Sequence, residues 1–452
     1  MNTDLVAVLP SELLPTQGPC EKEQDSYDEE FVLPAHSEKP LQTIHSHPLD
    51  EHLLFYEEDH IYTFMGIPTE TSVTSLAHQF EQHFVAQNAI NGMKTSRSQA
   101  WPRCEYVLDP RSLDETEWQH MRGILATCDG KTVAAIPPHN MAPGTDVNAA
   151  KSVLQHSARL VRATNLEDFE YFTFERGMSD EEITTKWSRD GMRASHMGTD
   201  RHYLAECFFN GLPHRWWEPD MEVLYRFCRE HLIPRGIVAH NTEKEIVCRD
   251  ANVAGSIDLI VWDTKRQVYH IIDFKRSNKL RTQLRGYGKM SEPFQHLDDS
   301  KGAGYALQTS IYQYILERDY GMKIGDRILL SLHAEQPFVT SVPYLQEETR
   351  YIMERRFARV RAQTAVMEAD PERFRCRMSN APVVDAVRLD DGRVVMEKMA
   401  RLAGESFTVA DDIRRDMEVC VGERMEEVAF DSSACTSWRR LMPVGGIPPF
   451  QE

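Results

Sequence analysis

Apolar positions recur along this chain in short alternating runs and in longer stretches of helical spacing, and their order predicts its elements. Leu53 to Phe64, LLFYEEDHIYTF, reads as two short strands around the turn EEDH. Ser72 or Thr74 then stands as an N-cap before a run in which Leu76, Phe80, Phe84 and Ile90 fall at roughly helical spacing, predicting a helix. From about Lys94 to Glu175 the pattern weakens into loop-rich stretches, with NAAKSVLQHSARLVRA helical in character, and is read as an insertion. Glu181 to Asn210 predicts one helix, a break near Gly191 and a second helix from about Thr199, with His202, Glu206 and Phe209 or Asn210 on one face. Asp220 to Ile233 is a further amphipathic helix, ended by Pro234, Arg235 and Gly236.

Three strand-like runs follow: Glu243 to Cys248, Val253 to Trp262 and Val268 to Phe274, joined by turns short enough for an antiparallel meander. Tyr305 to Arg318 predicts a helix, Arg327 to His333 a strand and Glu347 to Ala365 a long helix. The order α-βββ-α-β predicts an α/β fold with a mixed central sheet flanked by helices. Beyond about Asp370 the chain is polar, with a hairpin predicted around Asp390 to Arg393 and a loop-like end. The expected organisation is a disordered acidic leader (1–47), a strand–helix part (48–93), the insertion (94–175), the core (176–368) and a C-terminal extension with no assigned role (369–452).

Composition narrows the function. With 452 residues, 41% hydrophobic and 27% charged, the chain can bury a sizeable core. No apolar run is long enough to span a membrane and no secretory signal is evident, so no membrane partner is expected. The nine cysteines form no CxxC pair, which favours free thiols in an intracellular setting, cytoplasmic or nuclear, and argues against an iron–sulfur cluster or a zinc ribbon. A net charge of −19 speaks against a simple nucleic-acid coat protein. It leaves room for a local basic groove, and the segment Lys275 to Lys289 carries six Lys or Arg and no acid.

Candidate chemistry concentrates between Asn241 and Ser277. Asp258 and Asp273 each interrupt an apolar run, GSIDLIVW and HIIDFKRS, where an unpaired carboxylate is costly. Lys275, two residues beyond Asp273 on a strand, points to the same face. Asp273 and Lys275 alone read as a buried salt bridge. Together with Asp258 and the upstream Glu243 they read as a site for a hard divalent cation, Mg²⁺ or Mn²⁺, with a lysine beside it to handle water. His202, on the helix just upstream, is a candidate imidazole ligand in a mostly oxygen site. Gln308 and Tyr312 share a helix face and read either as packing or as groups that hold a phosphate or a base. Arg276 and Lys279, in the basic segment, are candidates to follow a phosphate backbone.

These residues resemble a known family. GTDRH (Gly198 to His202), Glu243, AGSID (Ala254 to Asp258), DFK (Asp273 to Lys275) and QTSIY (Gln308 to Tyr312) occur in the order of the PD-(D/E)xK nucleases, most like the RecB-like and lambda-exonuclease-like branch and nucleases of large DNA viruses and eukaryotic mobile elements. The resemblance covers roughly His52 to Arg361, interrupted by the insertion. It implies a restriction-endonuclease-like αβββαβ core and metal ligation by His202, Asp258 and Asp273, with the Phe274 carbonyl a further ligand. It also implies that Lys275 orients or activates the attacking water, that Glu243 is a metal-shell or structural acid, and that Gln308 and Tyr312 support the site or its substrate. The implied activity is metal-dependent hydrolysis of DNA phosphodiesters in viral or mobile-element DNA processing, replication or recombination. The rival expectations are an inactive nuclease-fold DNA-binding subunit and a nuclease directed at RNA.

Overall fold

The apolar runs between residues 237 and 275 pair as an antiparallel meander: β1 (Ile237–Cys248) with β2 (Val253–Asp263), and β2 with β3 (Val268–Lys275). In the computed structural model, residues 6–7, 33–34, 40–82, 84–96, 103–108, 157–161, 173–215 and 217–450 are described. A crossover through helix α4 (Lys301–Asp319) brings β4 (Ile324–Ser331) parallel to β3, and β5 (Phe338–Val342) returns antiparallel. A short strand at Thr71–Ser72 adds parallel to β2, completing a six-stranded mixed sheet in the order β1-β2-β3-β4-β5.

Helices cover both faces of this sheet. On one side Ala303, Leu307, Ile311 and Ile315 of α4 pack with Ile246, Val253, Ile260, Ile271 and Leu329. On the other, Leu204 and Phe208 of helix α2 (Asp180–Phe209) and Leu224 and Phe227 of α3 (Pro219–Phe227) pack with Leu259, Val261, Ile272, Phe274 and Leu330. Burial on both faces explains why β2 and β3 read as near-continuous apolar runs rather than a strict alternation. The chain is thus an α/β protein with a mixed central sheet flanked by helices. Among the described residues, no helix is long and apolar enough to cross a membrane.

Chain contacts divide it into two units, residues 1–82 with 197–452, and residues 83–196. The sheet, α3, α4 and residues 197–209 of α2 belong to the larger. In the smaller, strands Val107–Leu108, Ser157–Val161 and Thr173–Gly177 form a three-stranded sheet with the last in the middle. The segment 157–161 is therefore strand where the sequence pattern predicts helix; residues 148–156 lie outside the described residues.

Other expectations are corrected. The break near Gly191 is absent: α2 runs unbroken from Asp180 to Phe209. Gly191 costs a helix only about 1 kcal/mol relative to Ala, and the Lys186–Asp190 pair one turn apart supports the turn around it. The helix predicted over 72–90 is two, Val73–His78 (α1) and Ala86–Lys94, with Ser72 capping the first through its bond from the Ser75 amide, 3.1 Å. Phe84, placed on its apolar face, lies in the break and is exposed. Residues 40–47, assigned to the leader, are ordered. Leu41–Ile44 is a helical turn, the Leu41 amide donates to Asn210 Oδ1 at 2.8 Å, and Gln42 donates to the Thr242 carbonyl at 2.7 Å.

The polar C-terminal extension has a core of its own. The predicted hairpin is Ala386–Leu389 (β6) with Val394–Met396 (β7), turning through Gly392 at φ +85°, and Phe407–Val409 (β8) adds a third strand. Val383, Val387, Val395, Ile413, Met417 and Val421 are buried together with Ala362 and Val366 of helix α5 (Gln346–Ala369). The terminal loop is buried too: Trp438 is fully enclosed, and Phe450 joins the core beside Phe227.

Candidate metal and catalytic site

The sheet changes phase where the carboxylates gather. In β2, Val253, Ile257 and Ile260 belong to the core beneath α4, whereas Leu259 and Val261 belong to the opposite core, so the inside–outside alternation slips at Asp258. The flanking pairs Thr242–Leu259 and Lys244–Ile257 place Glu243 across from Asp258, and Glu243 adopts φ +42°. A left-handed glutamate inside a strand carries strain of about 1–3 kcal/mol, the kind that persists where surrounding structure imposes it. Ladder pairing of β2 with β3 ends at Leu259–Ile272, and the Phe274 amide donates to Asp258 Oδ2 at 2.5 Å. Two parted strands thus leave a recess, lined by acids, at the end of the meander.

His202 reaches this recess from α2. Its Nδ1 lies 3.5 Å from Asp258 Oδ1 and 3.6 Å from Glu243 Oε1, and one ligand atom from each of the three residues falls within 4.8 Å of the others. The Phe274 ring meets the imidazole edge-on at 5.9 Å, and Ser256 donates to Glu243 Oε2 at 3.3 Å. Burial opposes the charged imidazole, but Asp258 and Glu243 raise its pKa to about 9. Two carboxylates hold a proton on His202, at a place suited to a larger cation.

Asp273 stands beside this trio. It is 3% exposed, and its Oδ2 lies 2.6 Å from Lys275 Nζ but makes no hydrogen bond of good geometry. Burial pushes the Asp273 carboxyl up to about 6, against the pull of Lys275, with Asp258 adding to the rise. Burial likewise raises Asp258, countered by His202. Lys275 has burial against its charge, yet Asp273 and Asp258 hold its pKa above the ordinary value, and its Nζ lies 4.7 Å from the Tyr305 ring centre. The lysine is therefore a fixed ammonium.

No protein-family model, no curated protein and no solved structure matches this chain.

The residues fit a hard divalent cation on three counts. The donor set is oxygen-rich with one imidazole. A buried carboxylate oxygen of Asp273 has no hydrogen bond of good geometry, and the cluster sets two carboxylates against one imidazole, an excess of negative charge that a cation offsets. His202, Glu243 and Asp258 would hold such an ion together, with Asp273 adjoining. Glu243, expected as a metal-shell or structural acid, is here as close to His202 as Asp258 is. Phe274 meets the site through its amide and ring.

The expected substrate contacts are placed differently. Gln308 and Tyr312 are buried beneath the site, Gln308 donating to the Tyr312 hydroxyl at 3.0 Å, so they brace the strands from behind. Arg276 donates to Asp220 Oδ2 at 2.9 Å. Arg201, the residue before His202, donates to the same oxygen at 2.9 Å, and the Ala334 amide donates to Asp220 Oδ1. This Arg201–Asp220–Arg276 knot ties α2, α3 and β3 together beside the site. Motif reading passes over it, although the charged neighbour of His202 was its one signal. Of the basic segment, Arg285 binds the Met442 carbonyl and Lys289 pairs with Asp298 at 2.7 Å, while Lys279 remains exposed.

Proposed function

We propose that this chain is a divalent-metal-dependent nuclease that hydrolyses DNA phosphodiesters, with a PD-(D/E)xK-type site on a restriction-endonuclease-like core. The observation that carries the reading is the convergence of His202, Glu243, Asp258, Asp273 and the charged Lys275 on one recess where β2 and β3 part. The succession α2, β1, β2, β3, α4, β4 follows the αβββαβ order expected for that fold and supports it.

His202, Glu243 and Asp258 would hold Mg²⁺ or Mn²⁺, with Asp273, paired with Lys275, adjoining them. The ion supplies Lewis-acid stabilisation of charge developing on the phosphoryl oxygens and makes a nearby water more acidic. Lys275, kept protonated, orients water and offsets negative charge as the phosphorus is attacked; it does not accept a proton. Asp273, in close ion pair with Lys275, holds that ammonium at the recess. Tyr312 and Gln308 keep β2 and α4 at fixed spacing, which fixes the carboxylates.

The deciding experiment incubates the full chain with end-labelled linear and circular DNA, beside matched RNA, in Mg²⁺ or Mn²⁺. DNA cleavage that is lost in chelator and in Asp273→Ala supports the reading. Full activity in either condition sinks it, and DNA binding without cleavage or divalent-ion binding would instead identify an inactive subunit.

A further inference from the structure

A second cluster of metal-ligating side chains lies elsewhere in the larger unit. His296 comes from the connection before α4, Glu348 from the first turn of α5, and Cys435 follows the short turn Ser432–Ala434. One ligand atom of each lies within 4.8 Å of the other two, although the residues are 52 and 87 positions apart. We propose that His296, Glu348 and Cys435 form a zinc site that fastens the C-terminal segment to the nuclease core.

Three features point to a cation here. Glu348 is 3% exposed, and among the described residues its ionic partner is His296 alone, Nε2 to Oε1 at 2.6 Å. A carboxylate so buried needs positive charge close by. Its neighbour Glu347 is engaged by Arg350, 2.5 Å, and by the Asp431 amide, 2.9 Å, and among the described residues no Arg or Lys pairs with Glu348.

The donors are also the right kind. Imidazole nitrogen, carboxylate oxygen and thiol sulfur together suit Zn²⁺, whereas Mg²⁺ and Ca²⁺ avoid sulfur. Tetrahedral zinc sets neighbouring ligand atoms about 3.3–3.8 Å apart, so the cluster needs only small side-chain rotations to close. Three protein ligands leave the fourth position for water.

The surroundings are built to hold the ligands. The His296 ring lies parallel to Phe430 at 5.9 Å and edge-on to Phe294 at 6.2 Å, and Phe430 also packs on Tyr351. The Trp438 amide donates to the His296 carbonyl at 3.0 Å, and its indole donates to the Leu284 carbonyl at 2.7 Å. The segment bearing Cys435 is thus anchored on both sides of the thiol. Zinc would couple three distant stretches and add its binding energy to folding.

Cobalt(II) titrated into the metal-depleted full-length protein tests this site. The expected result is one equivalent showing thiolate-to-cobalt charge transfer and the intense visible bands of tetrahedral cobalt, displaced by Zn²⁺. The bands should vanish in Cys435→Ser, weaken in affinity at least about tenfold in Glu348→Gln, and persist when His202 and Asp258 are both replaced by Ala. No thiolate band in the wild-type protein overturns the proposal, whatever the fate of the variants, and so does a band unchanged in Cys435→Ser.

Discussion

Gly255 and Tyr312 approach so closely that a Cβ on the glycine would lie 2.9 Å from Tyr312 Cε1 and 3.1 Å from Val73 Cγ2. The tyrosine is buried and hydrogen-bonded to Gln308, so its ring has nowhere to retreat. Gly255→Ala should therefore destabilise the fold by about 1–3 kcal/mol through overpacking. It should also impair cleavage, because the same strand carries Asp258. Urea unfolding and DNA digestion on one preparation check both. A variant as stable and active as the parent would show that α4 does not set the strand position.

Lys275 and Asp273 are each other's main partner in a poorly hydrated recess. Lys275→Ala should lower cleavage at least about 100-fold, since an ammonium aimed at developing charge is lost. It also strands a buried carboxylate, a loss of about 3–5 kcal/mol for an enclosed pair. A divalent cation can restore part of that charge balance. Mn²⁺ should therefore raise the melting temperature of Lys275→Ala more than that of the parent, and scanning calorimetry with and without the ion compares them. Equal responses would place the ion away from Asp273.

The meander, helices α3 and α4 and a hydroxyl cap before α1, at Ser72 or Thr74, were legible because each rests on local pattern: apolar runs with short turns, 3.6-residue spacing, a hydroxyl before a helix. The acids were legible because a charge inside an apolar run is conspicuous. What escaped notice depends on contacts between distant residues. The left-handed backbone of Glu243 and the phase slip at Asp258 leave no mark on periodicity. Of the six charges in the basic segment, three face partners that only the fold reveals: Asp220 for Arg276, Asp298 for Lys289, the Met442 carbonyl for Arg285. The C-terminal core was hidden for a related reason, being assembled from strands of three or four residues that bury isolated valines.

Glu70 links the start of the larger unit to α5, accepting from Arg356 at 2.8 Å, Arg359 at 3.0 Å and Gln363 at 3.0 Å. Burial works against its charge, but the two guanidinium groups hold its pKa down to about 2, from an ordinary 4.5. A depressed carboxylate stabilises the fold above its unfolded pKa and loses that contribution as pH falls toward its folded value. The depression is worth about 3 kcal/mol. Glu70→Gln should be less stable than the parent near neutrality, with the gap narrowing as pH falls from about 4.5 to about 2. Denaturant titrations across that range measure it, and a gap independent of pH would mean that the carboxylate charge contributes nothing.

Arg276 and Lys279, three residues apart in one basic segment, should behave in opposite ways. Arg276 shares Asp220 with Arg201, so Arg276→Ala removes one of two cations from a buried carboxylate and should cost stability, about 1–3 kcal/mol for a lost charged hydrogen bond. Lys279 is exposed, and no ion pair engages it among the described residues. Lys279→Ala should leave unfolding unchanged within about 0.5 kcal/mol. If DNA runs past the recess along this segment, the lysine contacts a phosphate. Its loss should then weaken binding similarly for all sequences and reduce the slope of log K against log salt by about 1. Fluorescence anisotropy with a labelled duplex across several salt concentrations reads that slope. An unchanged slope in Lys279→Ala, beside a changed one in Arg276→Ala, would place the DNA on the Asp220 side of the recess and require the knot there to open on binding.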